Sequence, residues 1–304
     1  MAGKRDLTRR IRAVRSIQQI TKAMKMVAAA EFRRAQQRVV AARPYARTLQ
    51  EMLQRLVEAG AQIQHPLARY RPIRATAYVV VTGDRGLAGS YNVNVIRRAS
   101  AALREAENDT VLVAIGRKGR DFFRRRGYSF AREITGLGEQ PSFGQARQVS
   151  QMLMSMFLGQ EVDEVWLVYT EFISALQQRP VAVQLLPVAP LLAEATARGA
   201  GDGPSGSSQG AAAEGGPVVE YIYEPSADEV LNTLLPKFVE MQVYRTILEA
   251  KASEQGARMT AMGSATDNAA EMISKLTLAY NQARQASITR EISEIVGGAE
   301  ALEG

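Results

Sequence analysis

Residues 234–283 read LLPKFVEMQVYRTILEAKASEQGARMTAMGSATDNAAEMISKLTLAYNQA. Taking Leu234, Phe238, Met241, Arg245, Leu248, Ala252, Gln255, Met259, Met262, Thr266, Ala269, Ile273, Leu276, Tyr280 and Ala283 in turn, the steps alternate between four and three. A heptad sustained this long implies a left-handed supercoil with a facing helix. Arg245, Gln255 and Thr266 dilute the seam, so the pair is not built for permanent dry packing. Beyond Ala283 the apolar register shifts to Ile288, Ile292 and Ile295. Pro236 predicts an early kink or break. No proline follows it, and only Gly256 and Gly263 interrupt the pattern before Gly297. A helix from about Ala227 to Val296 would be ~105 Å long.

The facing helix is found at the other end of the chain. No Gly or Pro occurs from Lys4 to Arg43. Ile11, Val14, Ile17, Ile20, Met24, Val27, Phe32, Ala35 and Val39 recur at a helical period. Thr8 reads as the N-cap, Pro44 as a kink, and Leu49, Leu53 and Leu56 continue the stripe. Ala28, Ala29 and Ala30 are small enough to admit another backbone closely. A helix from about Thr8 to Val57 would span ~75 Å, whereas globular helices average about 11–12 residues. Helices this long outrun any domain that could cover them, so they must bury their stripes on each other or on partners. Two such helices bracketing one domain are expected to pair antiparallel within the chain, giving a rod with a knob.

The knob alternates strand and helix. Ala75–Thr82 reads as a strand running into a glycine-rich turn, with a helix from about Asn92. Thr110–Ile115 is a second strand, followed by helical Arg117–Arg126. Ser142–Leu158 is an apolar-periodic helix, and Glu164–Thr170 and Pro180–Leu186 read as strands. This alternation argues for a mostly parallel, layered, Rossmann-like α/β domain. The stretch Gly199–Gly216 is Gly-, Ser- and Ala-rich and reads as a flexible loop. Val218–Tyr223 returns as a short strand. The expected architecture is thus α/β with long helices: an N-terminal coiled-coil helix (residues 1–60), a globular α/β domain (70–225) and a C-terminal coiled-coil helix (226–304).

Composition narrows the chemistry. There is no Cys and a single His, His65, so disulfides, thiolate metal sites and thiol catalysis are excluded and a histidine triad is disfavoured. The longest apolar runs, such as Ala77–Val81, are strand-sized, short of the ~20 residues of a membrane span. No apolar segment follows the initial Met, so no signal peptide is expected. The net charge is +7, and its distribution says more than its sum. Up to Glu58 there are 14 Lys or Arg against 4 Asp or Glu; the remainder is slightly acidic. The first helix therefore calls for an acidic partner surface.

Few residues invite a catalytic reading. Gly83-x-x-Gly86-x-x-Gly89 after a strand suggests a phosphate loop, but it lacks the Gly-Lys-Ser/Thr of a Walker A motif and the dinucleotide glycine spacing. A strand-to-helix turn is the plainer account, with Asp84 and Arg85 either paired locally or facing a partner. Glu161, Asp163 and Glu164 read as a solvated edge, and His65 as a loop residue. Arg124, Arg125 and Arg126 end a helix, where cations suit the dipole. No cofactor is expected.

Six separated motifs carry a family resemblance. They are Ile20-Thr-Lys-Ala-Met-Lys-Met-Val-Ala-Ala-Ala30 with Arg43-Pro-Tyr45, Asp84-Arg-Gly-Leu-Ala-Gly-Ser-Tyr-Asn92, Tyr223-Glu-Pro225, Arg258-Met-Thr-Ala-Met262, Ala265-Thr-Asp-Asn268, and Tyr280-Asn-Gln-Ala-Arg-Gln-Ala-Ser-Ile-Thr289. In this order they resemble the γ subunit of F-type ATP synthase. The resemblance implies a non-catalytic central shaft inside a collar of three α and three β subunits. Its foot would rest on ε and on the c-ring, at the cytoplasmic face of the bacterial plasma membrane, touching the membrane only through partners. It also implies collar contacts at Met24, Lys25, Arg258, Arg284, Gln285 and Thr289. Two other readings stay distinguishable: an enzyme on the α/β domain, which would bind nucleotide alone, and a basic coiled-coil nucleic-acid binder, which would show steeply salt-dependent binding.

Overall fold

The computed structural model describes residues 4–58, 65–174, 177–188 and 226–303. Two helices dominate it. Helix α1, Lys4–Glu58, has 55 residues, and the last helix, α5, Ala227–Glu303, has 77. Both run through their prolines, Pro44 and Pro236. An interior proline removes one backbone hydrogen bond and crowds one carbonyl. Neither loss ends a helix whose flanking turns are pinned by buried Leu49 and Leu53 on α1 and Leu231, Leu235 and Phe238 on α5.

The two helices pair antiparallel. The Thr266 hydroxyl donates to that of Thr21 at 2.9 Å, while nearer the knob Leu248 and Ala252 pack with Ala35 and Val39. The α5 seam follows the heptad over Phe238, Met241, Leu248, Ala252, Gln255, Met262 and Ala269, all buried.

The α1 seam differs from the sequence reading. Ile17, Ile20 and Val27 are 53%, 57% and 64% exposed, whereas Thr21, Ala28, Phe32, Ala35 and Val39 are buried. The period is right, and Ile11 and Val14 are half-buried as read, but at Gln18, Thr21 and Ala28 the buried row lies one residue after Ile17, Ile20 and Val27, a rotation of about 100°. Small residues allow α5 to approach there, and the larger apolar side chains are left outside.

Between the helices lies a five-stranded sheet, built from β1 (Ala75–Val81), β2 (Asp109–Ile115), β3 (Phe130–Ile134), β4 (Glu164–Phe172) and β5 (Gln178–Leu186). Its order is β3-β2-β1-β4-β5, with the first four strands parallel and β5 antiparallel to β4. β3 is absent from the sequence reading. It is an edge strand whose three central residues, Ala131, Arg132 and Glu133, are exposed, so it lacks an apolar pattern. Pro180 sits inside β5, at the other edge, where a missing N–H is tolerated.

Alternation along β1 sorts the core into two layers. Val79 and Val81 face α4 (Phe143–Leu158) and α5. Tyr78 and Val80 face α2 (Tyr91–Glu105) and Phe123 of α3 (Arg117–Arg124). Ser142 caps α4 with a reciprocal Gln145 box. The expected loop at 199–216 and strand at 218–223 lie outside the described residues.

Candidate functional site

The pairing register fixes where the shaft is bare. With Thr21 opposite Thr266 in an antiparallel pair, Lys4 falls opposite about residue 283. Everything from Arg284 onward therefore overruns α1, and 20 helical residues make a tip ~30 Å long. Arg284, Gln285 and Thr289 are exposed on it, beside a stripe of Ile288, Ile292 and Ile295 that nothing among the described residues covers.

Met24 and Lys25 lie further down the shaft. Met24 is half-buried; Lys25 is exposed, with its side-chain carbons laid across Gly263 of α5. Around them are the outward-facing Ile17, Ile20, Met26 and Val27. The cations of α1 share this surface. Asp6 answers two of them, Arg9 and Arg10, both at 2.9 Å, and the Arg9 hydrogen bond above all holds its carboxyl below the usual value.

Arg258 stands apart from these five. It is 7% exposed, and its guanidinium donates to Glu254 Oε1 (2.6 Å), Gln255 Oε1 (2.8 Å) and the Gly86 carbonyl (3.4 Å). It belongs to the junction of shaft and foot.

That junction occupies the place where an open parallel sheet binds ligands, outside the carboxyl ends of the strands beside the point where strand order reverses. Here α5 fills it. Ser253 donates to the Thr170 carbonyl at the end of β4, and Glu254 presses on Gly83 at the end of β1. A water-sized gap remains, lined by Thr82, Asp84, Tyr91 and Glu254. Desolvation first, and the Glu254 charge second, push the Tyr91 hydroxyl well above its ordinary value. The glycine turn is thus a strand-to-helix connection. Only Gly89 of its glycines adopts positive φ (+53°). Asp84 pairs within the foot rather than locally in sequence, accepting from the Arg117 and Gly136 amides at 3.1 and 3.0 Å.

Of two smaller expectations, the loop position of His65 holds and the solvated edge at Asp163 does not. His65 caps a single 3-10 turn, its Nδ1 accepting from the Leu67 amide at 3.1 Å. Asp163 is 4% exposed rather than solvated. It binds Arg71 at 2.5 Å and the Arg74 and Ala75 amides at 2.8 and 3.1 Å. The partner that buries it is Arg71, 92 residues away, so no local pattern announces it.

A shaft that outruns its own pairing, set in a foot whose ligand crevice is plugged by that same shaft, defines a class: an α/β domain carried on a long two-helix shaft. The sequence profile of the family described as ATP synthase matches residues 3–302. Over 303 residues the chain is 53% identical to the ATP synthase gamma chain of Desulfitobacterium hafniense, covering all of both chains. It is 54% identical to that of Symbiobacterium thermophilum, covering 99% of each. The chain belongs to the ATP synthase gamma chain family.

Solved structures agree. A chain of the central stalk and c-ring of Tetrahymena thermophila mitochondrial ATP synthase is 26% identical, with a TM-score of 0.59, covering 81% of this chain and 99% of that one. A chain from the Euglena gracilis mitochondrial OSCP, F1 and c-ring assembly shares the fold at 20% identity and a TM-score of 0.65, over 98% and 94%.

Proposed function

We infer that this chain is the central rotor shaft of the F1 part of a proton-translocating ATP synthase, passing rotation to catalytic sites carried by other subunits. The observation that carries this reading is the bare tip. Some 20 residues of α5 stand beyond α1 with apolar and hydrogen-bonding side chains in water, a cost that a surrounding sleeve removes. No helix among the described residues is long and apolar enough to cross a membrane, which suits a peripheral subunit.

The physics of the rod supports the role. Two helices of unequal length make a rod with no threefold symmetry, so a collar of three α and three β subunits meets a different face at each site. Three unequal environments are what coupling of shaft angle to nucleotide affinity requires. The cations of α1 and the polar residues in the α5 seam suit contacts that are broken and remade at each step. Met24 and Lys25 on the shaft, and Arg284, Gln285 and Thr289 on the tip, are the contacts we assign to that collar. Arg258 acts there through the helix face it anchors. The foot is assigned to ε and the c-ring, at the cytoplasmic face of a bacterial plasma membrane.

The test replaces Gln285 and Thr289 by leucine in the complex reconstituted into vesicles. Losing a hydrogen bond from a desolvated contact costs about 1–3 kcal/mol, so coupled ATP synthesis is expected to fall about tenfold. Incorporation of the chain into the complex should stay near wild type. Undiminished synthesis would refute the assignment.

A further inference from the structure

Three glycines of the foot meet three successive turns of the shaft. A Cβ on Gly83 would lie 2.8 Å from Glu254 Oε1. The Gly86 carbonyl accepts from Arg258 at 3.4 Å. A Cβ on Gly89 would lie 3.6 Å from that of Ala261. Glu254, Arg258 and Ala261 are spaced four and three, one face of a helix, and Gly83, Gly86 and Gly89 are spaced by threes along the turn. The turn therefore lies along one helix face, and Gly83 is the position where that face leaves no room for a side chain; a Cβ on Gly86 would point to Lys118 instead.

We propose that this contact is the torque joint of the rotor, with Glu254 as its positioning residue. The inference rests on the rotor reading above. Below the joint, α5 is held by apolar packing in the foot, through Leu235, Val239, Val243 and Ile247. Such packing is non-directional: it resists separation more than rotation or sliding. Above the joint, Gly263 and Thr266 already face α1. Directional contacts between foot and shaft, begun by Glu240 with Arg147 at 3.1 Å and by Ser253 with the Thr170 carbonyl, gather over 254–261 on the glycine turn. Glu254 is 1% exposed and holds Lys251 at 3.0 Å and Arg258 at 2.6 Å. The turn beneath is itself braced: the Gly83 amide donates to Asn92 Oδ1 at 2.9 Å, and Asn92 donates back to the Arg85 carbonyl at 3.4 Å. Gln255 donates to Glu139, tying the same helical turn to the loop before α4. A charge clamped against backbone sets the azimuth of the shaft relative to the foot.

The joint is tested in the full complex in vesicles by reading ATP-driven proton pumping against ATP hydrolysis. Glu254→Gln keeps the shape and removes the charge that holds the two cations. Gly83→Ala drives a methyl into the carboxylate. Each is expected to lower protons pumped per ATP at least about twofold, with hydrolysis by the detergent-solubilised complex retained. Combining Gly83→Ala with Glu254→Asp, which withdraws the carboxylate by one methylene, should recover at least half of the Gly83→Ala loss. That non-additivity separates a contact from general damage. If Gly83→Ala does not assemble, Glu254→Gln alone decides. Unchanged pumping per ATP in the single variants, or purely additive losses in the double, would overturn the joint while the rotor stands. A wild-type chain that restores no pumping to a complex lacking its shaft subunit would sink the rotor reading and the joint with it.

Discussion

Gly116→Ala is expected to abolish stable folding of the foot. Gly116 follows β2 with φ of 92° and ψ of 148°, a region that side chains enter only at a cost of roughly 1–3 kcal/mol. A Cβ built there would lie 2.0 Å from the Thr82 carbonyl oxygen and 2.7 Å from its carbon. Neither strand end can yield. The Thr82 amide donates to the Ile115 carbonyl at 2.8 Å, the Gly116 amide to Ile134 at 2.8 Å, and the Thr82 hydroxyl takes the Gly119 amide at 2.9 Å. Relief means parting β1 from β2 at the end that carries the glycine turn and hence the shaft. The total should exceed about 4 kcal/mol, a large share of the 5–15 kcal/mol by which domains are stable. Gly127→Ala is the control: φ is 83° but nothing lies within 4 Å of the new methyl, so the cost is only about 1–2 kcal/mol. Urea unfolding of the full chain compares them. A Gly116→Ala protein within about 1 kcal/mol of wild type would show that the turn adapts.

Why that turn matters was not legible in the sequence. The 3.6-residue period writes itself into any amphipathic helix, so both long helices are read directly, and so is the α5 seam from Phe238 to Ala269 except at Arg245, whose side chain is 47% exposed. The α1 seam was displaced because apolar size is a poor guide when two helices approach closely: Thr21 and Ala28 are buried while Ile20 and Val27 are not. Size there reports the outer face, which the chain leaves for others. β1, β2 and β4 announced themselves by apolar runs. β3 did not, because an edge strand with charged outer positions carries no alternation. β5 was seen as a strand, but its direction depends on a register with β4 that only the fold supplies.

The site divides in the same way. The overhang needs the register as well as the length: 77 residues against 55, aligned at Thr21 and Thr266, leave it at the far end of α5. Of the six family motifs only the last, Tyr280–Thr289, reaches it, and the resemblance rather than the length names Arg284, Gln285 and Thr289. The junction was not legible, since Arg258 and Gly86 are 172 residues apart. A Gly-x-x-Gly-x-x-Gly spacing is compatible with a phosphate, a plain turn or a helix face. The discriminating signal is Glu254 and Arg258 at i and i+4, and it acquires meaning only when α5 is laid across the turn. The sheet keeps the crevice of a ligand-binding fold, and its own helix is the occupant. That substitution turns a binding site into a mechanical seat.

Replacing Asp163 should loosen the opposite end of the same sheet, in a way that depends on pH. Desolvation pushes this carboxyl up, but the Arg74 and Ala75 amides and the Arg71 guanidinium outweigh it and hold it below its ordinary value of 3.8. Both oxygens accept, Oδ1 from Arg71 and Oδ2 from the two amides. An asparagine must therefore turn an NH₂ toward a donor whichever way it faces. Arg71 also donates to the Phe157 and Val162 carbonyls and lies over the Phe157 ring, so the cation stays in place without its counter-charge. Breaking a buried pair costs about 3–5 kcal/mol; with Arg71 still 23% exposed at its side chain, about 3 kcal/mol is expected for Asp163→Asn at neutral pH. A carboxylate whose pKa is lowered by folding contributes fully above its unfolded value and loses that contribution as pH falls through the folded one. The stability gap between wild type and Asp163→Asn should accordingly be widest at neutral pH and narrow steadily once the pH drops below 3.8. Urea midpoints of both proteins between neutral pH and strong acid measure it. A gap that stays constant across that range would mean the charge of Asp163 does nothing that its shape does not.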